Sequence, residues 1–150
     1  MSRSEDRAKI VDLCLRLLAR REHSAQELLR KLTARGFDAE LTREVIDALR
    51  SRGWQDDARF VESFVRSRLQ RGHGPLRVRF ELRGKGVDDA VIEAVLAEMA
   101  PDWSEAAARA CRRKFGDGPA SDRNEYARRW RFLARRGFDS EQIRSVLDKP

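Results

Sequence analysis

Three times in this 150-residue chain a leucine is followed, four positions later, by glycine, a hydrophobic residue and aspartate. The copies are Leu32…Gly36-Phe37-Asp38, Leu82…Gly86-Val87-Asp88 and Leu133…Gly137-Phe138-Asp139, with the glycines 50 and 51 residues apart. A period of this length marks one supersecondary unit used three times. Each copy reads as the end of one helix and the start of another. The glycine takes the left-handed position that stops the first helix, and the aspartate caps the second by accepting a backbone N–H. An apolar stripe at helical spacing follows each copy: Leu41, Val45, Ile46 and Leu49, then Val91, Ile92, Val95 and Leu96, then Ile143, Val146 and Leu147.

The segments before each copy complete the unit. A helix over about 5–21 carries Ile10, Val11, Cys14, Leu17 and Leu18, and Ser24 with Glu27 has the spacing of a capping box for the next helix. Asp56-Asp57 opens a helix bearing Phe60, Val61, Phe64, Val65 and Leu69, which stops at Gly72-His73-Gly74-Pro75. A helix over about 103–115 carries Ala107, Ala108, Cys111 and Phe115, and Asp122 opens one bearing Tyr126, Trp130 and Leu133 on its inner face. Residues 76–83, Leu-Arg-Val-Arg-Phe-Glu-Leu-Arg, alternate as a strand would. The repeat register and the Gly-Pro start assign a helix instead, with Val78 and Leu82 facing inward. The expected fold is all-α: three tandem three-helix, helix-turn-helix-like repeats over 1–53, 54–101 and 102–150, forming an elongated curved body.

Charge is the main functional signal. The 32 basic residues, 27 of them Arg, exceed the 25 acidic ones, a net charge of +7. Such an excess points to a polyanionic partner. Within residues 66–85, seven cations, Arg66, Arg68, Arg71, Arg77, Arg79, Arg83 and Lys85, stand against Glu81 alone. A second cluster, Arg128, Arg129, Arg131, Arg135 and Arg136, is interleaved with Trp130 and Phe132. These twelve residues are the candidate contacts to DNA phosphates or to acidic protein surfaces; as solvated helix faces they need no partner at all.

Other chemistries find no support. There is no nucleotide-binding glycine loop, His23 and His73 have no ligand-spaced neighbours for a metal, and Asp56-Asp57 reads as a helix cap. No serine or cysteine pairs with a base, so no catalytic residue, cofactor or enzymatic activity is expected. Cys14 and Cys111 lie in apolar stripes and read as buried thiols. With no apolar run of about 18 residues and no signal-peptide core at the N-terminus, the expected location is the cytoplasm, away from membranes.

The middle repeat carries a specific resemblance. Gly53-Trp54-Gln55-Asp56-Asp57-Ala58-Arg59-Phe60-Val61, followed by Arg68…Gly72-His73-Gly74-Pro75…Leu82…Lys85-Gly86-Val87, resembles the signature of the RecX family. Leu18…Arg21…Ser24…Glu27-Leu28…Lys31-Leu32…Gly36 is similar to that family's opening segment. Trp54-Gln55 stands where the family commonly has an aromatic or apolar pair, and Val61 where Ala is common. The resemblance implies a cytosolic bacterial regulator that binds the RecA–DNA filament and suppresses its ATPase, strand-exchange and coprotease activities, with the same three-repeat fold. The partners expected on this reading are the RecA filament and, weakly and without sequence preference, single- or double-stranded DNA, engaged by a monomer. The alternative is a stand-alone helix-turn-helix transcription regulator, which the acidic third helix of the middle repeat, Val91–Met99, disfavours.

Overall fold

The Gly-hydrophobic-Asp triplet works through backbone hydrogen bonds. In the computed structural model, which describes residues 2–148, helix α2 (Ala25–Ala34) ends with the Phe37 N–H donating to Leu32 O at 3.2 Å and the Gly36 N–H donating to Thr33 O at 3.0 Å. This paired closure requires a left-handed residue between the two helices, and Gly36 supplies it at φ +94°. The same bonds recur from Val87 to Leu82 O at 3.3 Å and from Phe138 to Leu133 O at 3.2 Å. The five-residue step from Leu to the hydrophobic residue is therefore the reach of one bond. Asp38 then accepts from the Leu41 N–H at 2.9 Å and Asp139 from the Gln142 N–H at 2.9 Å, opening α3 (Ala39–Ser51) and α9 (Ser140–Leu147).

Nine helices and no strands form among the described residues. α1 (Arg3–Arg20) precedes α2 and α3. α4 (Asp57–Gln70), α5 (Pro75–Gly84) and α6 (Asp89–Met99) follow, then α7 (Trp103–Phe115), α8 (Arg123–Arg135) and α9. The Ser24–Glu27 capping box is present, and Asp56 caps α4 by accepting from the Ala58 and Arg59 amides. The alternating segment is helical throughout. At 100° per residue a two-residue step turns 200°, so the pattern writes two apolar stripes on opposite faces. Val78 and Leu82 form the buried one; Leu76 and Phe80, 54% and 76% exposed, form the other.

The chain divides into two compact units, with boundaries that fall inside α4, α5 and α6. The first comprises residues 1–63 and 82–95. Ile10, Cys14, Leu28, Leu32, Leu41, Val45, Ile46 and Leu49 form a core cluster there, joining α1, α2 and α3. The second comprises 64–81 and 96–150. Its cluster is built from smaller side chains: Ala106, Ala107, Ala110 and Cys111 of α7 under Leu133, Phe138 and Ile143. Both cysteines are buried free thiols, and burial pushes Cys14 up to about 11.

Inside each unit, a Gly-containing turn seats on the start of the preceding repeat's second helix. In the first unit, Ser24 Oγ donates to Lys85 O at 2.7 Å and Arg30 donates to Gly84 O at 2.7 Å. The α5–α6 turn comes so close that a Cβ on Gly86 would lie 2.5 Å from the Gln26 Cβ. In the second unit, the Gly74 N–H donates to Arg136 O at 2.7 Å and the Leu76 N–H donates to Gly137 O at 2.9 Å. A Cβ on Gly137 would overlap Arg77 and stand 2.7 Å from its backbone nitrogen. At Gly36, by contrast, nothing among the described residues lies within 4 Å of the Cβ direction.

The three turn glycines therefore carry unequal burdens. Gly36→Ala adds only the left-handed backbone cost, about 1–2 kcal/mol, whereas Gly86→Ala and Gly137→Ala add a steric clash with the neighbouring helix start. In urea denaturation the latter two are expected to lose at least ~1 kcal/mol more than Gly36→Ala. Equal losses at all three positions would contradict the seating described above.

Candidate polyanion-binding surface

Charge is unequally divided between the units. The first carries 15 basic and 15 acidic side chains; the second carries 17 basic and 10 acidic, so it holds the entire net charge of +7. Ten of the twelve candidate cations fall in the second unit. Arg83 and Lys85 belong to the first, where Arg83 pairs with Asp89 at 2.7 Å and Lys85 with Glu27 at 3.4 Å.

The two sequence clusters meet in the second unit. Arg136, at the end of α8, donates through Nη1 to Arg71 O at 2.7 Å and lies 5.0 Å over the Phe132 ring. Arg113 of α7 donates to the neighbouring Gln70 O at 3.0 Å. These bonds cover carbonyls at the end of α4 and hold the 71–75 loop beside the α8–α9 turn. Arg71, Arg131 and Arg135 are exposed and have no ion-pair partner among the described residues. Arg128 is exposed and sits over the Phe115 ring at 5.3 Å. Arg66 is exposed and Arg79 half-buried.

Three further candidates are structurally engaged. Arg68 packs over Phe64 at 4.2 Å and pairs with Glu81 at 3.2 Å, while Arg77 reaches the other Glu81 oxygen at 3.0 Å. Burial alone would raise the Glu81 carboxyl, but the Arg77 hydrogen bond and the Arg68 charge outweigh it and hold the group below its usual range. Arg129 is 5% exposed, and its guanidinium is enclosed by Glu125 at 2.5 Å and Gly118 O at 2.8 Å. It braces the loop after α7 and, with Arg112 and Asp117, lines an open cleft of about 300 Å³ whose apolar side includes Cys111, Val146 and Leu147. Its position four residues before the core Leu133 was the signal in the sequence for an inward side chain. Trp130, expected on the inner face, is half-buried and packs at the edge of the Leu133 cluster. Phe132 is edge-on to Phe115, with centroids 5.4 Å apart.

His73 sits within this cationic setting. It is 7% exposed, its Nδ1 has no hydrogen-bond partner, and Glu81 lies 3.9 Å away. Burial, reinforced by Arg77 and opposed by Glu81, lowers its pKa to about 4. Among the described residues no group of three His, Cys, Asp or Glu side chains is arranged to hold a metal, and no helix is long and apolar enough to cross a membrane.

The architecture defines a class: a helical tandem-repeat protein with its charge concentrated on one structural unit. Comparison with known proteins narrows it. Residues 12–49, 56–96 and 102–147 match, respectively, the first, second and third three-helix domains of RecX. The chain is 48% identical over 135 residues to the regulatory protein RecX of Halorhodospira halophila, covering 90% of this chain and 84% of that protein. It is also 48% identical over 136 residues to that of Chromohalobacter salexigens, covering 91% and 89%. The chain belongs to the RecX family. The crystal structure of RecX from Lactobacillus salivarius shares the fold, with a TM-score of 0.80 at 22% identity over 97% of this chain and 96% of that one.

Arg129→Met unseats the loop after α7 and is expected to lower the Tm by about 5 °C or more, whereas Arg131→Met leaves it nearly unchanged. A Tm insensitive to Arg129→Met would rule out the brace. The His73 ring is neutral in the folded chain where the unfolded chain begins to protonate it, so its contribution is complete above about pH 6.5 and is lost as pH falls towards 4. Urea denaturation should show the His73→Gln variant losing less stability than the wild type between pH 7 and 5. Identical pH slopes would contradict the assignment.

Proposed function

We propose that this chain is a non-catalytic regulator of the recombinase RecA. It binds the RecA–DNA filament through the basic second unit and lowers the filament's ATPase, strand-exchange and coprotease activities. The relatives that share nearly half its residues are named regulatory proteins RecX. The observation that carries the placement is the partition of charge: the whole excess of +7 lies in the unit bearing Arg71, Arg131 and Arg135, none of them committed to an internal ion pair among the described residues. Uncommitted guanidiniums can meet phosphates or carboxylates without first breaking an internal bond. On this reading the chain acts as a monomer in the cytoplasm, and its DNA contact is weak and independent of sequence.

RecA's single-stranded-DNA-dependent ATPase, measured against increasing amounts of this chain at fixed salt, tests the proposal. Inhibition is expected at amounts well below one chain per RecA protomer, and it should weaken as salt is raised. Replacing Arg71, Arg131 and Arg135 together by Glu should require at least about tenfold more protein for the same inhibition. Arg83→Glu, in the neutral first unit, should have little effect. No inhibition by the folded wild-type chain would remove the RecA reading. Full inhibition by the triple variant would remove the placement on the second unit.

A further inference from the structure

The outer face of α5 has no role in the packing described above. Leu76 and Phe80, one helical turn apart, are among the few large apolar side chains left exposed, at 54% and 76%. Arg77 and Arg79 flank them on either side of the same turn. The face is held firmly from behind: Val78 is fully buried, and the Gly74 and Leu76 amides are tied to Arg136 O and Gly137 O. Two apolar anchors at i and i+4 on an immobilised helix lose little conformational entropy on docking.

We propose that Leu76 and Phe80 are the apolar anchor by which the second unit docks on a protein partner, inserting into an apolar pocket rimmed by carboxylates. The charge around the anchor selects the rim. Residues 64–81 hold five arginines and one acid, Glu81, whose two oxygens are already taken by Arg68 and Arg77. The anchor's composition selects protein over nucleic acid. A base stacks on an aromatic face or a guanidinium plane, and Phe80 offers one, but Leu76 beside it has no π-face and favours an aliphatic or aromatic pocket. The partner named here, a RecA protomer of the filament, rests on the function proposed above.

The test uses the full chain and the cognate RecA assembled on a single-stranded oligonucleotide, with the bare oligonucleotide as the second probe. Phe80→Ala is expected to weaken filament binding by about tenfold or more, and Leu76→Ala by a smaller factor. Both should keep the wild-type Tm and bind the bare oligonucleotide within about twofold of wild type. Trp54→Ala, which alters the exposed aromatic of the first unit, should leave filament binding unchanged. Filament binding by Phe80→Ala and Leu76→Ala equal to wild type would overturn the anchor while leaving the regulator reading intact. An equal loss on the bare oligonucleotide would make the face a base-stacking platform and overturn the protein pocket. Absence of filament binding by the wild-type chain would overturn the RecA reading itself, and this partner with it.

Discussion

The fold depends on a backbone contact that only glycine permits. Where the α5–α6 turn meets the start of α2, and where the α8–α9 turn meets the start of α5, main chain approaches main chain and side-chain stem too closely for a Cβ. The same glycine has already been required for its left-handed φ, so one residue both ends a helix and joins it to its neighbour. Repeats of about fifty residues are small for independent cores. Their joining is therefore part of what makes each unit stable. Hydrogen bonds from Ser24 and Arg30 in one unit, and from the Gly74 and Leu76 amides in the other, satisfy carbonyls at helix ends that would otherwise lack intrahelical partners.

That joining also sorts the arginines. Some hold structure together: Arg136 reaches the Arg71 carbonyl, Arg113 the Gln70 carbonyl, and Arg129 the loop after α7. Others, such as Arg71, Arg131 and Arg135, project from positions that this bracing fixes. Arginine suits the first task because its planar fork spans several acceptors at once while its stem covers apolar surface. A chain this rich in Arg thus has two populations of cation that composition does not distinguish. Only the second is available to a polyanionic partner, and the neutral first unit shows that the excess is local to one part of the chain.

Much of the fold was legible in the sequence because its signals are short-range. The Leu…Gly-hydrophobic-Asp spacing is the geometry of the paired helix-end bonds, and the Ser24–Glu27 box and Asp56 cap lie within four residues of the amides they serve. The repeat register correctly overrode the strand-like alternation of 76–83, since a period of two can also be written on a helix. The consequence of that alternation was missed: a second apolar stripe, Leu76 and Phe80, has to face away from the first. The candidate site was less legible. Arg128, Arg129 and Arg131 are equivalent by composition, yet Arg129 shares the face of Leu133 and is buried while Arg131 points outward. The meeting of Arg71 with Arg136 spans 65 residues and rests on the docked turn, a tertiary contact that charge counting within a window cannot register.

Hydrogen exchange on the full chain, with and without RecA assembled on single-stranded DNA, tests most directly the proposal that the charged unit meets the filament. Added protection is expected over residues 65–81 and 123–137, with α1 exchanging as it does in the free protein. Protection confined to α1, α2 and α3, or no change anywhere in the presence of saturating filament, would contradict it.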